Sequence, residues 1–311
     1  MNIKFSFITT VYNESNTIVP FLESILHQTK LPDELIIVDA QSTDDTAQKI
    51  KNTLVNQKKI PWQLIIGIGN RSVGRNIAIK NSNHQYIACS DGGCILDPYW
   101  FEKISKPLIE DAAIDVVGGW YKPIATTQWQ KTLVKVLNFQ AEHINFDSFL
   151  PSARSMAFLK KAWNDVGGFD ERYSHNEDTP FALELRKKHK RFVFQPKAVV
   201  YWKLVNSYRA LYRMIWRYAY GDAEAHIFPS QYRIILAYWT TIIVSFAISF
   251  FVPLLAILAV LCFFGYLYLP LLQSKSINRI NELWQVPLIK LTIITANTVG
   301  YIKGIARLKM L

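Results

Sequence analysis

Hydrophobic positions in the first hundred residues fall in short runs, each followed by a stretch with apolar residues at helical spacing. Residues 3–9 read as a strand and 15–28 as a helix. Residues 34–38, Glu-Leu-Ile-Ile-Val, give a second strand, and 44–54 a helix with Ser42 or Thr43 available as its N-cap. A third strand over 62–66, a helix over 72–82 and a fourth strand over 85–90 continue the alternation. Short apolar strands joined by such helices imply βαβ units and a mostly parallel sheet, an α/β fold. Beyond it the pattern loosens. Strands near 114–120 and 153–159 and a helix over about 178–189 are expected, and Pro196 with a strand near 198–202 closes this part of the chain.

A different pattern follows. From Ile234 to Leu272 the chain carries no Asp, Glu, Lys, Arg or His. As one helix this run would reach about 58 Å, against a hydrocarbon core of about 30 Å. It is too long for one comfortable span and suits two short ones turning near Pro253. Core helices of that length rarely lack all charge, so membrane insertion is expected. Just ahead, Arg209, Arg213 and Arg217 share one helical face among Tyr208, Leu211, Tyr212, Ile215, Trp216 and Tyr220. That composition predicts a helix lying in the bilayer interface. Met1–Phe5 opens directly into the first strand with no apolar leader, so no secretory signal is expected. The organisation read from these patterns is an α/β domain over 1–205 and an interfacial amphipathic helix over 206–233. A transmembrane hairpin over 234–272 and a cytoplasmic or interfacial C-terminal helix over 273–311 complete it.

Charge sharpens this division. The 311 residues hold 35 basic and 24 acidic side chains, a net of +11. Residues 204–311 contribute 10 basic and 3 acidic of these, so the excess sits beside the apolar runs. Anionic lipid headgroups suit such flanking charge better than nucleic acid, which calls for a basic stripe on a soluble domain. Membrane lipids are thus an expected partner, and nucleic acid is not. The three cysteines, Cys89, Cys94 and Cys262, form no C-x-x-C pair, and no histidine accompanies the first two, so buried packing is expected in place of a soft-metal site.

Ligands of parallel α/β sheets bind beyond the carboxyl ends of the strands. Thr9-Thr10-Val11-Tyr12-Asn13-Glu14 follows the first strand and Asp39-Ala40-Gln41-Ser42-Thr43-Asp44 the second. Gly69 and Gly74 have the separation of a P-loop, but Arg75-Asn76 stands where Lys-Ser or Lys-Thr would be needed. This stretch reads as a glycine-rich turn presenting Arg75 to an anionic ligand, or to a surface salt bridge. Ser90-Asp91-Gly92-Gly93 follows the fourth strand; one carboxylate there suffices for Mg2+ when substrate phosphates supply the other ligands. Glu177 and Asp178 open a helix, where they either favour its positive end or supply a general base.

In this order and spacing, these stretches resemble the family 2 glycosyltransferases, inverting enzymes of the GT-A fold that use nucleotide-sugar donors. The resemblance covers about residues 3–203. It rests on Thr10-Val11-Tyr12-Asn13-Glu14-Ser15, Ile36-Ile37-Val38-Asp39 with Ser42-Thr43-Asp44-Asp45-Thr46, and Gly74-Arg75-Asn76. Ser90-Asp91-Gly92-Gly93 and Gly167-Gly168-Phe169-Asp170-Glu171 leading to Asn176-Glu177-Asp178 add to it. Pro151–Phe158 is similar to bacterial membrane-bound members. The resemblance implies a Rossmann-like mixed sheet followed by a helical membrane region. It implies Thr10, Tyr12, Glu14, Asp39, Arg75 and Asp91 at the nucleotide-sugar, and Mg2+ or Mn2+ on Asp91. Asp178 becomes the general base, with Glu177 as a supporting carboxylate.

Departures exist. Thr10 stands where the family usually has proline, Ala40 where it has a second aspartate, and Gly93 where the D-x-D motif has its last. A histidine sometimes found after the domain's final strand is absent, with Trp202 nearby. Ala40 and Gly93 keep open a catalytically silent nucleotide-binding scaffold as the alternative. As an enzyme, a hexosyltransferase-like chain beside a membrane anchor implies a lipid-linked saccharide or polysaccharide acceptor. Met214–Tyr218 only loosely resembles the Q-x-x-R-W motif of processive synthases, so transfer of one sugar is expected. Nucleotide sugars are cytosolic, so a multi-pass protein of the cytoplasmic membrane with its catalytic domain in the cytosol follows. Lys275 and Arg279 would then return to the cytoplasm as the positive-inside rule prefers.

Overall fold

The computed structural model describes residues 3–137, 144–145, 149–188, 190–273 and 280–308. The chain divides into two units, the first Met1–Ile124 with Gln140–Lys203, the second Ala125–Phe139 with Leu204–Leu311.

The first unit is built on a mixed sheet. Its strands are β1 (Phe5–Val11), β2 (Glu34–Asp39), β3 (Trp62–Ile66), β4 (Tyr86–Cys89), β5 (Cys94–Leu96), β6 (Val116–Ile124), β7 (Met156–Leu159) and β8 (Phe192–Lys203). They lie in the order β3-β2-β1-β4-β7-β6-β8-β5. Pairing is parallel through β3, β2, β1 and β4. It turns antiparallel where β7 joins β4 and β6. The helices are α1 (Ile18–Leu26), α2 (Thr46–Leu54), α3 (Arg71–Lys80), α4 (Trp100–Glu110), α6 (Lys160–Asp165) and α7 (Asp178–Lys187), with α5 (Gln128–Leu137) assigned to the second unit.

The continuous apolar runs of β1 and β2 follow from burial on both faces. Alternate residues point to opposite sides, so Leu35 and Ile37 join Phe7, Phe21, Trp100 and Ile104 in one cluster. Ile36 and Val38 join Ile8, Ile79, Phe158 and Phe181 in the other. Truncating such a residue to alanine costs about 2–5 kcal/mol.

Two expectations are corrected in this unit. Ser42 and Thr43 do not cap α2, which starts at Thr46. Ser42 Oγ instead donates to Asp39 Oδ1 and accepts from the Asn13 amide, while the Thr43 amide donates to Asn13 Oδ1. Their hydroxyls tie two strand ends together, and Asp44 accepts from the Thr46 amide in their place. The last strand runs over Phe192–Lys203, longer than expected, with Pro196 inside it. Its register with β6 jumps between Gly118 and Trp120, opposite Phe194 and Val199, and this irregularity absorbs a residue that cannot donate to a ladder. Helix α4 continues three residues past Pro107, which has no N–H to donate to the Lys103 carbonyl.

The second unit is helical: α5 with α8 (Tyr208–Glu224), α9 (Pro229–Ile248), α10 (Pro253–Gln273) and α11 (Ile280–Leu308). Helices α8 and α11 meet at small residues. A Cβ on Gly300 would lie 2.5 Å from the Trp216 carbonyl oxygen, and one on Gly304 2.7 Å from that of Tyr220. Arg307 pairs with Glu224 at 2.8 Å, and Tyr232 stacks on Tyr301 with centroids 3.9 Å apart. Lys135 of α5 pairs with Glu282 of α11 at 2.7 Å. The segment read as one interfacial helix over 206–233 is α8, a turn with positive φ at His226 and Phe228, and the start of α9. The uncharged run breaks at 249–252, and Pro253 opens α10. Among the described residues, α9 is the one helix long and apolar enough to cross a membrane by length and composition. Lys275 and Arg279, whose return to the cytoplasm the sequence predicts, lie outside the described residues, as does Lys309.

Candidate active site

The carboxyl ends of β1, β2 and β4 converge on one edge of the sheet, and the candidate residues of all three gather there. Tyr12 is 57 % exposed beyond β1. Asn13, at φ 54°, turns the chain so that its side-chain oxygen reaches Thr43. The Glu14 amide donates to Thr46 Oγ1 at 2.8 Å, and Glu14 Oε2 accepts from Thr17. Asp39 is buried at the end of β2, its Oδ1 accepting from the Ser42 amide and hydroxyl at 2.9 and 2.6 Å. Thr10 touches α3: a Cβ on Gly74 would sit 2.3 Å from Thr10 Oγ1, so only glycine lets the helix lie this close to β1.

The next two residues of α3 reach across the site. Arg75 is buried at 3 % exposure, its Nη2 on Asp91 Oδ1 at 2.8 Å and its Nη1 on Glu177 Oε1. This corrects the expectation of a glycine-rich turn around Arg75, since Gly74 lies within α3; of the two roles left open for Arg75 the structure displays ion pairing, with two carboxylates on the guanidinium. Asn76 Nδ2 donates to the Phe169 carbonyl, and its Oδ1 accepts from the Phe169 amide and Trp163 Nε1. Gly74-Arg75-Asn76 thus binds β1, the Asp91 turn, the start of α7 and the turn at Gly167-Gly168 to one helix. Those two glycines take φ of 80° and 87°, the left-handed region that favours glycine.

Asp178 opens α7, half-buried. Its Oδ2 accepts from Ser152 Oγ at 2.8 Å and from the Ala153 amide at 3.1 Å. Glu177, in contrast, is buried in the pair with Arg75, so it fixes Arg75. The turn carrying Ser152 and Ala153 also carries Arg154, a residue that sequence reading leaves without a role. Its Nε lies 3.8 Å from Asp91 Oδ2, and its guanidinium lies over the rings of Tyr121 and Trp202 at 5.5 and 5.2 Å.

Charge at the site follows from these contacts. Burial alone would raise the Asp91 pKa, but Arg75, then Arg154 and Arg71, hold it below the usual carboxylate range. Burial opposes ionisation of Glu177 too, and Arg75 chiefly reverses it, keeping the carboxyl low. Burial works against the charge on Arg75, and Glu177 and Asp91 more than offset it, raising its pKa. Glu14 goes the other way: burial raises its pKa and Asp91 adds to the rise, against the Thr17 hydrogen bond. Burial pushes the Cys89 and Cys94 thiols up to about 12, so both are neutral packing groups at pH 7.

Among the described residues no group of three or more His, Cys, Asp or Glu is placed to hold a metal ion. The donor set does suit a hard cation brought with phosphates. Asp91 is ionised with its side chain 33 % exposed, and a Cβ on Gly93 would lie 3.5 Å from Glu14 Oε2, so a second carboxylate stands beside the missing one.

Comparison with known proteins gives the family and the fold. Residues 6–167 match the model of glycosyl transferase family 2, and residues 107–296 that of glycosyl transferase family group 2. The chain is 25 % identical over 235 residues to a poly-β-1,6-N-acetyl-D-glucosamine synthase of Staphylococcus epidermidis, covering 70 % of this chain and 54 % of the relative. It is 25 % identical over 234 residues to the synthase of the same name from Staphylococcus aureus, with the same coverage. The chain therefore spans about half the length of the curated relatives it matches. In fold it is similar to the mannosyltransferase PcManGT of Pyrobaculum calidifontis, solved with GDP-Man and Mn2+, at TM-score 0.60 and 15 % identity, covering 97 % of this chain and 87 % of that one. S. aureus TarS superposes at TM-score 0.51 with 20 % identity, over 70 % of this chain and 39 % of its own. With a mixed sheet whose strand ends gather the motif residues, and a family match over more than half its length, the chain belongs to glycosyl transferase family 2 and has the GT-A fold.

Proposed function

We propose that the chain is an inverting glycosyltransferase that moves a sugar from a nucleotide-sugar donor to a lipid-linked saccharide or a polysaccharide at the cytoplasmic face of the membrane. The observation that carries this reading is the bridge Arg75 makes between Asp91 and Glu177, next to Asp178. It joins a carboxylate suited to a leaving diphosphate with the helix that offers a base. Thr10, Tyr12, Glu14 and Asp39 line the strand ends where the nucleotide would lie, Asp39 offering a fixed acceptor for a ribose hydroxyl or a base N–H.

Asp178 takes the proton from the acceptor hydroxyl. Ser152 Oγ and the Ala153 amide hold its Oδ2, so the carboxylate is oriented before the substrate arrives. The acceptor oxygen then attacks the anomeric carbon as the bond to the diphosphate oxygen breaks, and the configuration inverts. Mg2+ or Mn2+, when bound through Asp91 and the diphosphate, would offset the charge gathering on the leaving group.

The membrane part of the proposal rests on α9 and α10, with Phe250 and Phe251 between them 80 % and 87 % exposed. Their uncharged run suits a multi-pass arrangement with the domain of residues 1–205 in the cytosol. The curated relatives' name supports a polysaccharide of the cell envelope as the acceptor class. A screen of nucleoside diphosphates by thermal shift with Mn2+ tests the donor. A ligand at a hundred times its Kd adds about 2.7 kcal/mol of stability. Transfer from a labelled nucleotide-sugar, with metal and with chelator, then separates an enzyme from a silent nucleotide-binding scaffold. A chain that binds no nucleotide in any condition overturns the proposal.

A further inference from the structure

Asp91 faces two arginines in different situations. Arg75 is buried, and both ends of its guanidinium are held by carboxylates. Arg154 has a side chain 23 % exposed, with Nε 3.8 Å from Asp91 Oδ2, within ion-pair range but beyond a hydrogen bond. Its plane is set by the rings of Tyr121 on β6 and Trp202 on β8. Cation–π contact of this kind orders a long side chain, since a ring face meets the plane of the guanidinium, and Nη1 at its edge donates to Ser152 Oγ at 3.4 Å. The turn that carries Arg154 also holds Asp178 through Ser152 and Ala153, so one turn serves the base and faces Asp91.

The sequence departs from its family beside this arginine. Gly93 removes the last carboxylate of the D-x-D motif, so a divalent cation meets one aspartate there, and the neighbouring Glu14 carboxylate already accepts from Thr17. A diphosphate at this strand end then has less metal-directed anchoring and needs cationic partners from the chain. Arg71, the third arginine acting on Asp91, is exposed at the first turn of α3, where solvent screens it.

We infer that Arg154 contacts the diphosphate of the donor and supplies positive charge to the leaving group at the point where Gly93 lacks a carboxylate. Building on the transferase reading, the step is balanced as follows. The acceptor proton goes to Asp178, the acceptor oxygen bonds the anomeric carbon, and the electron pair of the broken bond stays on the terminal diphosphate oxygen. Arg154 turns N–H donors from Asp91 and Ser152 to that diphosphate.

Calorimetric titration of the full chain with UDP and GDP and with the matching monophosphates, in Mn2+ and in EDTA, tests this. Wild type is expected to favour one diphosphate over its monophosphate. In R154Q that preference falls about tenfold, 1.4 kcal/mol, and falls further in EDTA than in Mn2+, while monophosphate affinity stays within about twofold of wild type. R154K, which keeps the charge and loses the fork, falls between them. Loss of monophosphate binding in R154Q would mark a disturbed site, and R154K then decides: a loss confined to the diphosphate supports the assignment, and wild-type preference overturns it. A wild-type preference in R154Q, with and without metal, also overturns it. If the wild-type chain binds neither diphosphate, the transferase reading itself fails and this inference fails with it.

Discussion

Arg75 and Glu177 lie 102 positions apart in the chain, yet they form a buried ion pair with side chains 4 % and 5 % exposed. Asp91 takes the other end of the same guanidinium. Removing the shared cation leaves two carboxylates facing each other with less solvent to screen them. Breaking a buried pair from one side typically costs about 3–5 kcal/mol, because the remaining charge is uncompensated. Arg75→Met is therefore expected to lower the stability of the chain by that order in denaturant unfolding. Glu177→Gln, which keeps an acceptor for Arg75, costs less. Equal stability of Arg75→Met and wild type would show that the bridge does not hold the site together.

The same pair sets a pH dependence. Asp91 and Glu177 both have folded pKa values below their unfolded ones, chiefly through Arg75 acting against burial. Their contribution is fully present above the unfolded carboxylate range and is lost as pH falls through the folded values. Glu14 has the opposite sign, its raised pKa favouring the protonated form in the folded state, so it opposes the loss. The prediction is a net decline in melting temperature below about pH 4, flattened in Arg75→Met. A variant that follows the wild-type profile throughout would locate the acid sensitivity elsewhere.

How much of this was readable in advance varies with the kind of contact. The βαβ half is legible because β1 and β2 are buried on both faces and so carry unbroken apolar runs. Asp91 and Asp178 are legible as carboxylates at a strand end and a helix start. The role of Arg75 is not, because a sequence shows a charge and not the partner that meets it from 102 positions away. Arg154 stands in a stretch noted only for its likeness to other chains; nothing local tells that β6 and β8 bring aromatic rings beneath it. Ser42 illustrates a different failure. Its hydroxyl suits an N-cap, but Asp39 and Asn13 offer it tertiary partners first.

Asp178→Asn removes the proposed base while keeping an oxygen for Ser152 and Ala153. Base catalysis supplies about 10²–10⁴ in rate, so kcat should fall by that factor with donor affinity unchanged. Steady-state kinetics with a titrated donor measure both. Full activity in this variant would exclude Asp178 from proton transfer.

Gly74 tests the packing beneath the nucleotide side of the site. A Cβ there would meet Thr10 Oγ1 at 2.3 Å and Thr10 Cβ at 2.9 Å, on the rigid end of β1. Gly74→Ala is expected to push α3 away from the strand, with an overpacking cost of about 1–3 kcal/mol. Because α3 carries Arg75, the shift should also weaken nucleotide binding. Gly74→Ala with Thr10→Gly, which empties the space, should recover most of both. No recovery would mean that Thr10 itself, and not the spacing, matters for the ligand.

The last prediction concerns the membrane. Helices α9 and α10 have 20 and 21 residues, about 30 Å each at 1.5 Å per residue, which matches one hydrocarbon thickness apiece. Two crossings return the chain to the side on which it started. That leaves Lys303 and Arg307 on the same side of the membrane as residues 1–205, as the bias of basic residues toward the cytoplasm favours. A third crossing by α11 would carry Lys290 through the bilayer, at a cost of about 2.5–3.5 kcal/mol near its centre. It would also bring Glu282 and Arg307 to opposite faces, although Glu282 pairs with Lys135 and Arg307 with Glu224 within one helical unit. Two crossings are therefore expected, with both ends of the chain in the cytosol. Reporters of cytosolic and periplasmic location fused in turn after Leu311 check this directly. A C-terminal fusion active in the periplasm, with the N-terminal domain still cytosolic, would require one or three crossings and would remove the hairpin from the proposal.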